Sequence, residues 1–256
     1  MDGLANEMFP EPDMTTYVFG KTRPCPVCGH VGDPSDFIND TLYIKCMNCG
    51  VSYAFPSLSD SEHDDFINMV LPHQDMIDNY MNGKFTIKQD IHHTICLVRN
   101  IIPHLFGEVL VVGSGIGDII ESIKEYSGSV IGIESNPKKI DIGRLVEYKH
   151  NVYPLRAEDM RFFDRFNTVF VRNVLSWTDK PFTVIGNVLL ALKQNILHSR
   201  SKAIFYIDIN VPDYSKIYRI LWQPMILQKI ISNFGYKCCS RQIGSKMFIV
   251  VENTYE

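Results

Sequence analysis

Val109-Leu110-Val111-Val112-Gly113-Ser114-Gly115-Ile116-Gly117-Asp118 reads as a buried strand that runs into a glycine-rich turn and then into a helix. Four successive aliphatic residues suit a strand covered on both faces. At Gly113, Gly115 and Gly117 a side chain would stand between the backbone and any ligand that approaches it. The next apolar run, Val130-Ile131-Gly132-Ile133, ends in Glu134, about twenty residues on, where a carboxylate accepts hydrogen bonds from both hydroxyls of a ribose. A dinucleotide fingerprint, G-x-G-x-x-G, wants a third small residue at position 118, which here is Asp. The run is G-x-G-x-G instead, so it supplies no dedicated pyrophosphate pocket.

Strands and helices alternate on either side of this turn. Patterning predicts strands over 108–112, 129–133, 152–155, 168–171 and 203–207, and helices over 118–126, 137–148 and 182–197. Such alternation gives a parallel sheet covered by helices on both faces. A helix over 224–234 is followed by two strands, 236–242 and 246–251, joined by Ile243-Gly244-Ser245. A connection that short forces the last two strands to be antiparallel. Upstream, Phe85, Ile91, Ile95, Val98 and Ile102 mark an amphipathic helix within 84–106, and Ser57 to Glu62 carries the capping chemistry of a helix near 60–70.

Cys25-Pro-Val-Cys28 and Cys46-Met-Asn-Cys49 lie seventeen residues apart, a spacing that closes a tetrahedral four-cysteine site. Gly29 and Gly50 each follow the second cysteine of a pair, where the chain turns back so that amides point at sulfur. Four thiolates leave no open coordination position, so the predicted role of the metal, zinc, is structural. Four unligated thiols, or an iron site on the same ligands, are the other readings. A ribbon this small has little core, and ligation worth about 10 to 16 kcal/mol decides whether it folds. Between the pairs, 36–38 and 42–45 flank Asn39-Asp40 as a predicted hairpin.

The domain plan is therefore an N-terminal arm at 1–21, a zinc ribbon at 22–56, a bridging helical segment at 57–83 and a larger α/β domain at 84–256. With 256 residues and 45% hydrophobic composition the chain is long enough for one medium core and one small one. A net charge of −4 does not build the broad positive field that tracks a phosphate backbone. No basic segment followed by an apolar one opens the chain, and no apolar run approaches the length of a membrane span, which predicts a cytoplasmic protein with no membrane contact. Of seven cysteines, Cys96, Cys238 and Cys239 are left outside the ribbon and read as buried thiols.

From about 84 to 252 the chain resembles the class I S-adenosylmethionine-dependent methyltransferases. With the two cysteine knuckles, Tyr53-Ala-Phe-Pro-Ser57 and the acidic helix start, it is similar to the zinc-ribbon methyltransferases of sugar and natural-product modification. The resemblance implies a Rossmann-like seven-stranded sheet with a C-terminal antiparallel pair and S-adenosylmethionine as cofactor. It further implies that Gly113, Ser114, Gly115 and Gly117 pass the methionine part, that Glu134 and Ser135 hold the ribose, that Glu158, Asp159 and Met160 flank the adenine, and that Asn173 and Val174 lie beside the cofactor. The chain departs from the family's pattern at Val111 and Asn167, each in the place of an acid, and at Ser176-Trp177, in the place of Glu-His.

Methyl transfer needs the acceptor held in line with the sulfonium, and a base where the acceptor is a hydroxyl or carbon acid. Asp208 and Tyr214, past the fifth strand, and His93, in the amphipathic helix, are candidates, with turn capping and packing as their alternatives; none is assigned. Residues 208–224, with Tyr214, Tyr218 and Trp222, read as a substrate lid or as ordinary core contacts. The acidic balance favours a small-molecule or glycan substrate. RNA stays a possible acceptor because zinc ribbons dock on nucleic acid, with Lys21, Arg23, His30 and Lys45 as a sparse basic surface. A non-catalytic ribbon module with a degenerate cofactor domain is the remaining alternative. Nothing in the sequence specifies an oligomeric state.

Overall fold

Glu108–Val112 is an interior strand: four of its five residues are fully covered, and no edge strand could bury both faces that way. The computed structural model describes residues 24–30, 43–54, 65, 96, 107–145, 151–194, 201–208 and 220–252. In chain order the strands are β1 (Tyr43–Lys45), β2 (Ser52–Ala54), β3 (Glu108–Val112), β4 (Ser129–Glu134), β5 (Val152–Pro154), β6 (Thr168–Arg172), β7 (Lys202–Asp208), β8 (Ile220–Leu221), β9 (Lys237–Ile243) and β10 (Lys246–Glu252). The helices are α1 (Asp118–Lys124), α2 (Pro137–Leu145), α3 (Val174–Trp177), α4 (Pro181–Ala191) and α5 (Pro224–Asn233), with a 3₁₀ turn at Ala157–Asp159. The arm at 1–21, the strand at 36–38, the helices near 60–70 and over 84–106, His93, Tyr214 and Tyr218 lie outside the described residues, save the isolated helical positions Asp65 and Cys96.

Seven strands form one sheet in the order β5-β4-β3-β6-β7-β10-β9. The first five are parallel, and β10 runs antiparallel to both β7 and β9. The C-terminal pair is thus antiparallel, as its two-residue turn requires. Alternate residues of the central strands divide into two apolar layers. Leu110, Val112, Val169, Val171, Phe205 and Ile249 face α4 and α5, while Val109, Val111, Phe170, Ile204, Phe248 and Val250 join Ile119, Ile120 and Ile123 of α1. On the second layer Phe170, Tyr206 and Phe248 form a row across three strands, with ring centroids 6.5 and 5.4 Å apart. Aromatic neighbours at these distances add to area burial and lock the register.

The chain leaves β3 outward through β4 to β5, then crosses back to β6 on the other side of β3. Ligands of open α/β sheets bind outside the carboxyl ends of strands at such a reversal. The opposite end is closed by Asn167, whose Oδ1 accepts from the Glu108 amide at 3.0 Å and from Lys193 Nζ at 3.1 Å. Asn167 therefore ties the amino ends of β3 and β6 together, and its departure from an acid falls far from the glycine turn.

Helix α4 is shorter than its periodicity suggests. Patterning carries it to 197, but it ends at Ala191, because Leu192 turns to an extended conformation and bridges Phe166. The Lys193 amide donates to Phe166 O at 2.9 Å, and the amides of Arg165 and Phe166 donate to Ala191 O. Backbone partners from before β6 compete with the helical ones, a tertiary effect that no local residue signals.

The ribbon forms a second sheet, β1-β2-β8. The partner of β1 is β2, with Tyr43 opposite Ala54 and Lys45 opposite Ser52. On the other side β2 pairs with β8, which the chain supplies only after β7: Ser52 lies opposite Leu221 and Tyr53 opposite Ile220. Cys25, Val27, Ile44, Cys46, Val51 and Tyr53 are buried in the same apolar cluster as the α4 and α5 side of the large sheet. Among the described residues no helix is long and apolar enough to cross a membrane.

Candidate cofactor and metal sites

At the carboxyl end of β3 the amides of Gly113 and Ser114 both donate to Ile133 O at 3.0 Å, and Gly117 donates to Ser114 O at 3.0 Å. These bonds curl the turn back over the end of β4. Gly115 sits at φ +59°, where L side chains are strained, and among the described residues the nearest atom to the place a Cβ would take is Asp118 Oδ1 at 4.0 Å. Gly113 is required for another reason. A Cβ there would lie 2.6 Å from Val174 Cγ2 and 2.9 Å from Arg172 O, so the start of α3 packs directly on the turn.

Glu134 ends β4 and is buried, 6% exposed. Its Oε2 accepts the Gly115 amide at 2.8 Å and its Oε1 accepts the Asn136 amide at 3.0 Å. The carboxylate therefore clamps the glycine turn to the β4–α2 connection, and a lone pair on each oxygen is left for a further donor. Ser114 Oγ is fully buried and has no hydrogen-bond partner among the described residues. Ser135 is exposed on the same connection.

Asp118, which stands where a dinucleotide fingerprint has its third small residue, is buried at the first position of α1. Its Oδ1 accepts the Ile119 amide at 2.9 Å and lies 3.5 Å from Arg172 Nη1. Arg172, at the end of β6, had no role in the sequence reading; its only signal was its place next to Asn173. Asn173 itself takes a left-handed conformation, φ +56°, and donates its amide to Tyr206 O at 2.8 Å, which starts α3 at a fixed angle. Val111 is fully buried against α1 and Ser176 is 1% exposed, whereas Trp177 is half-buried with Lys139 Nζ 4.8 Å from its ring centre. That contact joins α2 to α3.

The turn after β5 is held from two sides. Asn187 Nδ2, on α4, donates to the carbonyls of Ala157 and Glu158, both at 3.0 Å. The Glu158 carboxylate accepts a short hydrogen bond from Thr178 Oγ1 and faces Arg156 at 3.8 Å. Asp159 is exposed, while Met160 is 1% exposed and packs in the core. Asp208 closes β7 opposite Lys246. Trp222 is no exposed part of a lid: it is 5% exposed, and its Nε1–H donates to Leu175 O at 2.9 Å.

The four ribbon sulfurs converge, all within 4.8 Å of one another. Cys25 and Cys49 Sγ are 3.7 Å apart and Cys28 and Cys46 Sγ 3.4 Å apart. A tetrahedron of sulfurs at a zinc bond length of 2.3 Å has edges of about 3.8 Å, so the donor set fits a four-coordinate ion. The two knuckles repeat one hydrogen-bond pattern. Cys25 N donates to His30 O at 2.8 Å and Gly29 N to Cys25 O at 2.9 Å; Cys46 N donates to Val51 O at 2.8 Å and Gly50 N to Cys46 O at 2.7 Å. Gly29 and Gly50 take φ +71° and +77°, as that reversal demands. The thiol environments differ within the folded ribbon: burial pushes Cys25 up to about 11 and also raises Cys49. Cys28 is lowered to about 7, because burial, the largest single effect and one that raises it, is outweighed by the His30 amide and the Asn48, Cys46 and Cys49 side chains.

No protein-family profile and no curated protein matches the chain. Solved structures do. The magnesium protoporphyrin IX methyltransferase of Synechocystis PCC 6803 with bound SAH aligns with a TM-score of 0.56 at 12% identity, over 77% of this chain and 100% of its own. The PH0226 protein of Pyrococcus horikoshii OT3 aligns with a TM-score of 0.56 at 13% identity, over 69% and 96%. The DhpI-SAM-HEP complex aligns with a TM-score of 0.53 at 14% identity, over 73% and 96%. The fold is that of the class I S-adenosylmethionine-dependent methyltransferases, joined here to a four-cysteine ribbon.

Proposed function

We propose that this chain is an S-adenosylmethionine-dependent methyltransferase that delivers a methyl group to an oxygen, nitrogen or carbon acceptor on a small molecule or glycan precursor. One observation carries the reading: the buried Glu134 carboxylate holds an open glycine turn at the sheet's topological switch point and keeps one lone pair on each oxygen. Two ribose hydroxyls are the donors that match it. Gly113, Ser114, Gly115 and Gly117 would border the methionine part, with Ser114 Oγ as a hydroxyl that a polar ligand atom can satisfy. Asn173 and Val174 would border the same part from α3, and Ser135, Glu158, Asp159 and the backbone at Met160 the adenine. The buried Asp118 weighs against a dinucleotide, because a carboxylate at that helix start repels a pyrophosphate.

When bound, S-adenosylmethionine supplies an electrophilic methyl group on a sulfonium. The chain's own part is positional: it orients the ligand by Glu134, excludes water by packing α3 on Gly113, and holds the acceptor in line. Asp208 is the base candidate we carry forward, since it ends β7 at the same end of the sheet as the glycine turn; Tyr214 and His93 remain alternatives to it. We assign a structural zinc ion to Cys25, Cys28, Cys46 and Cys49, because four thiolates complete its coordination. The net charge of −4 favours a small acceptor over RNA.

The test is calorimetric titration of S-adenosylmethionine and its demethylated product into the purified chain, with NAD as control, then transfer of labelled methyl groups to components of a host extract. Saturable one-to-one binding of the first two and a labelled small product are the expected results. Absence of binding by both, with the protein folded, would overturn the reading.

A further inference from the structure

Within the apolar cluster that the ribbon shares with the large sheet, one side chain, Trp222, makes a directed link to the cofactor end. Strand β8 belongs by hydrogen bonding to the ribbon sheet, where Tyr53 lies opposite Ile220 and Ser52 opposite Leu221. The next residue, Trp222, turns inward and donates its indole N–H to Leu175 O in α3 at 2.9 Å. One residue before Leu175 is Val174, whose Cγ2 blocks any Cβ at Gly113. On the ribbon side, β2 begins directly after the second knuckle, whose Val51 O accepts the Cys46 amide, and Ile226 of α5 lies against Gly50. Each link is a hydrogen bond or a packed contact; Trp222 and Leu175 are buried, 5% and 1% exposed, and Val174, Gly113, Gly50 and Ile226 are partly buried.

A two-residue strand has too few ladder bonds to hold its own position, so β8 lies where the ribbon offers an edge. The ribbon in turn holds its shape through the cysteine cluster, since a module of this size has little core. Release of the cluster frees β2, then β8, and leaves Trp222 without the anchor that aims its N–H at α3. Helix α3 spans only four residues and depends on contacts of this kind for its angle.

We propose that Trp222 is a positioning residue through which metal in the four-cysteine ribbon sets the affinity of the glycine turn for its cofactor. The affinity part rests on the methyltransferase reading; the link between cluster and Trp222 does not. Trp177 and Trp222 are the chain's two tryptophans, so Trp177→Phe leaves Trp222 as the single indole reporter.

The experiment follows Trp222 emission in Trp177→Phe protein, and S-adenosylhomocysteine affinity in the unsubstituted chain, each with zinc bound and after chelation, while far-UV circular dichroism monitors the large domain. Chelation is expected to shift the emission to the red and to weaken S-adenosylhomocysteine binding about fivefold or more, with the helical signal kept. Trp222→Phe, which keeps an aromatic ring but loses the donor, is expected to bind about fivefold more weakly even with zinc bound, and to lose the further response to chelation. Unchanged Trp222 emission after loss of the metal overturns the link to the ribbon. Unchanged affinity in Trp222→Phe, with its zinc response intact, overturns the route through the indole. If S-adenosylhomocysteine binds in no state, the methyltransferase reading falls and the emission result alone decides the link.

Discussion

Glu134→Gln separates what Glu134 does for the fold from what it does for a ligand. The carboxylate accepts one amide on each oxygen, Gly115 at 2.8 Å and Asn136 at 3.0 Å, and it is buried. A glutamine of the same shape has one oxygen to offer. Its NH2 group meets the other backbone N–H donor to donor, so one buried amide loses its acceptor. Loss of one hydrogen bond to a charged group costs roughly 1.5 to 3 kcal/mol, and about 2 kcal/mol lowers the melting temperature of a chain of this size by about 4 to 8 °C. That drop is expected in the absence of any ligand and is read by calorimetry on the apo protein. The same substitution removes an acceptor for one ribose hydroxyl, so S-adenosylhomocysteine binding falls about tenfold or more by isothermal titration. An apo melting temperature equal to that of the unsubstituted protein would refute the clamp. A lowered melting temperature with unchanged affinity would refute the ribose assignment and leave the clamp standing.

Gly115→Ala strains a left-handed residue by about 1 to 2 kcal/mol but, among the described residues, meets no atom closer than 4.0 Å, so thermal melting is expected to fall modestly while cofactor binding falls more than tenfold. Gly132→Ala is the opposite case: a Cβ there lies 2.6 Å from Ile120 Cδ1 and 2.8 Å from Ser114, and overpacking of about 1 to 3 kcal/mol should appear in urea denaturation. Iodoacetamide should modify the four ribbon cysteines after chelation and leave them unreacted in zinc-loaded protein. Peptide mass mapping reads the difference, and equal labelling with and without zinc would refute ligation by the four thiolates. Cys46→Ser should lose the metal by elemental analysis and open the ribbon to limited proteolysis.

The large sheet was legible because each strand carries a local signal: an aliphatic run, a glycine or a short turn at its end, and helical spacing between. The glycine turn and Glu134 announced themselves by position, as did the two knuckles by cysteine spacing. What stayed hidden depends on distant chain. Helix α4 stops at Ala191 because Phe166 competes for its backbone groups, and nothing near 191 says so. Strand β8 is two residues long and exists because β2 offers an edge, so Trp222 could be read as part of a lid when it is a buried tie. Asn167 reads in the sequence only as a departure from the family's pattern; its contacts with Glu108 and Lys193 put it at the end of the sheet opposite the glycine turn. The Asp118–Arg172 pair needs the fold to bring β6 beside β3 before either residue gains a partner.

A crystal structure of the full chain grown with S-adenosylhomocysteine tests the central claim most directly. The account predicts density along the turn at Gly113 to Gly117, with both ribose hydroxyls on the Glu134 carboxylate. Density for the ligand away from that turn, or bound with its ribose out of reach of Glu134, would contradict it.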